Sequence, residues 1–75
     1  MTGQAKAVII VYSTNHAMHI ENLLKGMGVA CKMIPVPRHI SSDCGVCLRI
    51  ERADIETAQQ AVKIAGLEIQ GIYPV

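Results

Sequence analysis

Apolar residues fall along the chain in short blocks separated by polar or glycine-bearing turns. Ala7-Val8-Ile9-Ile10-Val11-Tyr12 is continuous, β-branched and too short for a helix, which predicts a central strand covered on at least one face. Ser13-Thr14-Asn15 follows, and such side chains suit the start of a helix because they accept backbone N–H bonds. The spacing of Ile20, Leu23, Leu24 and Met27 predicts that helix as far as about Lys25, with Gly26 and Gly28 as its stop. Cys31 to Val36 predicts a second strand, and Pro35 and Pro37, which have no N–H to donate, place it at a sheet edge. Arg38 to Gly45 is the longest polar stretch and reads as a loop. Val46, Leu48 and Ile50 then alternate with Cys47, Arg49 and Glu51, predicting a third strand with one apolar face. Asp54 is placed to cap a second helix with the stripe Ile55, Ala58, Val62 and Ala65, closed by Gly66. Gly71 to Val75 forms a short last strand whose Pro74 again points to an edge.

The order β-α-β-β-α-β, with right-handed crossovers, predicts a ferredoxin-like α/β (α+β) fold: a four-stranded antiparallel sheet with two helices on one face. No linker, repeat or low-complexity segment divides the chain, so residues 1–75 are expected to form one domain. In that topology the first two strands run the same way and end at one edge. The turn Tyr12 to His16 is therefore expected beside the loop Arg38 to Gly45, although the two lie far apart in sequence.

Composition narrows the possibilities. A chain of 75 residues with no Trp or Phe and two Tyr must build a thin aliphatic core, so any site is expected on a surface loop or shared with a partner. A net charge of +1, with basic residues dispersed, offers neither the basic patch nor the stacking aromatics that nucleic acid binding needs. The apolar runs fall short of the roughly 20 residues a membrane span requires, and Met-Thr-Gly-Gln-Ala-Lys does not read as a secretory signal. Three cysteines, an odd number, argue against a secreted disulfide framework and for reduced thiols in the cytoplasm. No cofactor or bound metal is expected.

The chemistry most legible in the residues is that of Cys44. At the shared edge it would lie near the first helix's N-terminus, with its unpaired N–H groups and partial positive charge. Arg38, His39 and His16 can add positive charge; Ser13, Ser41 and Ser42 can donate hydrogen bonds; Gly45 leaves the sulfur open to approach. Such surroundings favour thiolate, while Asp43 opposes it. The bland alternative is that Cys44, in register with Val46, Leu48 and Ile50, is a small apolar residue at the top of the third strand.

Cys44 and Cys47 also form Cys-Gly-Val-Cys, which makes Cys47 a candidate second thiol. Three residues of extended strand span about 10 Å, whereas bridged cysteines have Cα atoms within about 7 Å, so a disulfide would need the chain to turn at Gly45 or to be helical there. The same cysteines with His16, His19 and His39 have zinc-type donors, but a single Cys-X-X-Cys is a weak metal signal. Cys31 belongs at the opposite end of the sheet, where packing is its expected role, and Met18, Met27 and Met33 read as core filler. Arg49, on the face of Cys47, suits an anion or a partner carboxylate, or else solvation or an ion pair with a neighbouring acid. No glycine-rich phosphate loop and no Ser/His/Asp arrangement is legible, so hydrolase and nucleotide-binding readings have no support.

Tyr12-Ser13-Thr14 with Ala17, Ile34-Pro35-Val36-Pro37-Arg38, Ser41-Ser42-Asp43-Cys44-Gly45 and Gly71-Ile72-Tyr73 together resemble the selenium/sulfur carrier-like family of short bacterial proteins. The resemblance covers nearly the whole chain and is most specific from Ile34 to Gly45. It implies a small non-catalytic carrier whose acceptor is the cysteine of a Ser-Ser-x-Cys-Gly motif, here Cys44, and leaves a required dithiol with Cys47 in doubt. A persulfide or selenosulfide on Cys44 would be relayed between partner proteins, a donor such as a cysteine desulfurase and an acceptor. Two other classes remain open from the residues: a metal-binding or thiol-regulatory module using Cys44 and Cys47, and a non-catalytic interaction domain.

Overall fold

The computed structural model describes residues 5–37 and 45–75. Its elements in chain order are β1 (Lys6–Ile10), α1 (Thr14–Gly26), β2 (Cys31–Pro35), β3 (Val46–Glu51), a 3₁₀ turn (Arg52–Asp54), α2 (Ile55–Ile64) and β4 (Gly71–Pro74). The four strands form one sheet in the order β2-β3-β1-β4, with every neighbouring pair antiparallel. β1 and β2, joined through α1, flank β3; β3 and β4, joined through α2, flank β1. The two βαβ units thus interleave, and the α+β class expected from the order of elements is found.

Alternation along the strands divides the apolar residues between two faces. Ala7, Ile9 and Val11 with Leu48 and Ile50 pack against Ala17, Ile20 and Leu24 of α1 and Ala58, Ala61 and Val62 of α2. Both helices therefore cover the same side. The opposite side holds a second, smaller cluster of Val8, Ile10 and Cys47, with Ile34 and Val36 against it. Pattern reading gave the third strand one apolar face; Cys47 corrects this, because it is fully buried on the side away from the helices.

Local chemistry explains the helix ends. Ser13 is extended (φ −155°, ψ 164°) and its side chain accepts the His16 N–H at 3.2 Å, so the predicted cap is realised. At the other end Gly28 takes φ +81°, a conformation other residues rarely adopt, and donates its N–H to the Lys25 carbonyl. Val29 donates to the Leu24 carbonyl at 2.9 Å, and this double bond satisfies carbonyls the helix leaves open. α2 closes through the same pair of bonds at Gly66 and Leu67.

Several expected positions differ. Asp54 makes no capping bond to α2: it ends the 3₁₀ turn at φ −96°, ψ 5°, away from the extended backbone a capping side chain needs. Ala65 is exposed beyond the last turn, and Ala61 takes its place in the stripe. Met18 and Met27 are each about half exposed and do not fill the core: Met18 lies off the stripe Ala17–Ile20–Leu24, and Met27 follows the end of α1. Met33 is half-buried against the helix-side core.

Candidate functional site

The registers decide which residues share a rim. Ile10 pairs with Cys47 and with Gly71, and Cys47 pairs with Ile34, so the ends of β1 and β2 and the starts of β3 and β4 lie together. Val36 donates its N–H to the Gly45 carbonyl at 3.1 Å, which clamps the two ends of the chain leaving β2 and entering β3. Gly45 has φ +82°, so a side chain here would strain the backbone although the space beside it is open. The turn from β1 into α1 rises from the same rim. The Tyr12–His16 turn and the described chain on either side of the loop, Val36, Pro37 and Gly45, thus lie at the same end of the sheet, while the expected meeting with the loop itself falls outside the described residues. Arg38, His39, Ser41, Ser42, Asp43 and Cys44 lie outside the described residues.

Ser13 and His16 form the described polar part of the rim. Ser13 Oγ and His16 Nδ1 are 2.9 Å apart, and both side chains are half-buried. Tyr12 stands edge-on to the His16 ring, centroids 6.5 Å apart. The first turn of α1 carries no acidic residue of its own, so among the described residues none offsets the partial positive charge of its N-terminal end.

Cys47 stands differently. Its side chain is fully buried, and its thiol points at the Pro35 carbonyl at 3.9 Å. In this conformation it offers no surface sulfur for exchange. Cys31 opens β2 at the far end of the sheet, opposite Ile50, packed against the core with its S–H toward the Glu21 carbonyl at 3.7 Å. Burial and the nearby Glu21 carboxylate push its pKa up, with Lys25 acting weakly the other way. Neither described thiol has the environment of a nucleophile. Among the described residues no three His, Cys, Asp or Glu side chains converge as a metal site. No helix among the described residues is long and apolar enough to cross a membrane.

A family model described as "Putative Se/S carrier protein-like" matches residues 6–74. The chain belongs to the Se/S carrier-like family. No curated protein and no solved structure matches it. Within this Se/S carrier-like chain, several residues that carry the resemblance have a structural reason. Ser13 caps α1, Gly45 takes the positive φ, and Gly71 lies under the Tyr73 ring, whose atoms would stand 3.0–3.1 Å from any added Cβ.

Sequence reasoning missed one charged group in the Se/S carrier-like sheet. Lys32 lies directly opposite Arg49, and Lys6 opposite Glu51, at the end of the sheet away from the rim. Of the two fates expected for Arg49, solvation or an ion pair with a neighbouring acid, its exposed side chain shows the first: among the described residues it has no ion pair, and Glu51 binds Lys6. The signal for this pairing was the register between β2 and β3, which the spacing of the residues did not reveal.

Proposed function

We propose that this chain is a sulfur or selenium carrier that holds the cargo atom on Cys44 and passes it between protein partners in the cytoplasm. The supporting observation is the clamp from Val36 to Gly45 at the rim where α1 begins. It holds both described ends of the Cys44-bearing loop at the end of the sheet from which α1 rises, and the first turn of α1 carries no acidic residue. The family description names the same class of cargo. The burial of Cys47 supports a reading in which Cys44 acts alone and weighs against the paired-thiol module.

The transfer needs no external oxidant or reductant. The Cys44 thiolate attacks the outer sulfur of a donor persulfide; a new S–S bond forms as the donor's S–S bond breaks. The donor leaves as a thiolate and takes up a proton, and the carrier holds Cys44–S–SH. Attack by an acceptor thiolate on the outer sulfur releases Cys44 again. With selenium the held group is Cys44–S–SeH, exchanged in the same way. Groups that favour thiolate over thiol speed each attack, which is the part proposed for Ser13, His16, Arg38, Ser41 and Ser42.

The test is sulfur loading by a cysteine desulfurase and cysteine, read as intact mass. The native chain should gain one sulfur, Cys44→Ser should gain none, and Cys47→Ser should load as the native chain does. Equal loading of the Cys44→Ser protein would refute the carrier reading.

A further inference from the structure

At the end of the sheet away from the rim, β1, β2 and β3 surround a shallow cavity of about 120 Å³ whose charged walls are Lys6, Lys32, Arg49 and Glu51. All four side chains belong to the face without helices, because Lys32 and Arg49 alternate with residues that pack under α1 and α2. Glu51 is occupied by Lys6. Lys32 and Arg49 are direct cross-strand partners, both exposed, and among the described residues neither has an acidic partner. Like charges directly opposite one another destabilise a sheet. Two like charges thus stand side by side at a concave, solvent-facing place, their repulsion met by no described ion pair of their own.

What would relieve it is negative charge from outside. A tight site for a free oxyanion needs buried donors, and these cations are exposed. The same face continues into half-buried Ile34 and Val36, and Tyr73 is 45% exposed on β4. Exposed Arg and Tyr on one face are residue types enriched in protein interfaces. We propose that this corner of the helix-free face is the docking site for an acidic surface of a partner protein, whose carboxylates are received by Arg49 and Lys32. Arg49 supplies a planar fork for a carboxylate, and Lys32 a point charge beside it. The inference concerns binding alone and does not depend on Cys44 carrying sulfur.

The probe is a short oligo-glutamate peptide titrated into the isotopically labelled full chain, followed through backbone amide resonances. The largest shifts should fall on residues 32 and 49 and should weaken several-fold as salt rises from about 0.01 to about 0.15 M. Arg49→Gln with Lys32→Gln should abolish them. That variant removes the repulsion, so it should fold at least as stably as the native chain, and lost binding will not reflect unfolding. Lys63→Glu, in the last turn of α2, should leave the shifts unchanged. Shifts that persist in the double variant, that centre on other cations, or that inorganic phosphate produces equally well would each overturn the proposal.

Discussion

Among single residues, the two described cysteines show how environment sets reactivity. Cys47 has no exposed surface and Cys31 has a raised pKa, so both should react slowly with iodoacetamide in the folded chain near neutral pH. Peptide mapping after a brief exposure should find Cys47 unmodified until denaturant is added. The raised pKa of Cys31 also carries a sign for stability. As pH rises past the ordinary thiol value, about 8.5, the unfolded chain loses its proton first. The contribution of Cys31 is therefore complete below that value and declines above it, until the folded thiol also ionises. Urea midpoints near neutral pH and at about pH 10 should fall less in Cys31→Ser than in the native chain.

At the level of elements, α1 depends on its cap. Ser13→Ala removes the acceptor for the His16 N–H and should lower stability by about 1 kcal/mol, whereas Ser13→Asp should keep most of it. Urea unfolding of the three proteins measures the difference. Elements such as α1 were legible because their signals are local: a capping serine, a stripe of apolar residues, a glycine beyond the last turn. Sheet-forming blocks were legible for the same reason. The missing capping bond of α2 was not. The helix begins at Ile55 directly after Asp54, as expected. The turn anchored by Arg52, which donates its backbone N–H to the Ala5 carbonyl and its guanidinium to the Val75 carbonyl, keeps Asp54 off the extended backbone a capping side chain needs. Register was not legible either. Which residue of β2 faces Arg49 depends on how the intervening loop closes, and no pattern within either strand records that. The same limit hid the burial of Cys47, whose cover comes from across the sheet.

Over the whole molecule, a chain of 75 residues at about 0.05–0.15 kcal/mol per residue has roughly 4–11 kcal/mol in hand. Leu48 is fully buried at the middle of the helix-side core. Leu48→Ala should cost about 2–5 kcal/mol, a large share of that total, while Leu48→Met should cost less than about 1.5 kcal/mol. Equal urea midpoints for the two variants would contradict the packing described. The margins of the sheet bear on its behaviour in company. β2 and β4, its outer strands, are only five and four residues long, and each finishes on a proline, Pro35 and Pro74. A strand from another molecule seeking to extend the sheet would find a short ladder with a rung missing at its end. Neighbouring copies therefore have little main chain on these described edges to zip onto, and any contact made across them falls to side chains.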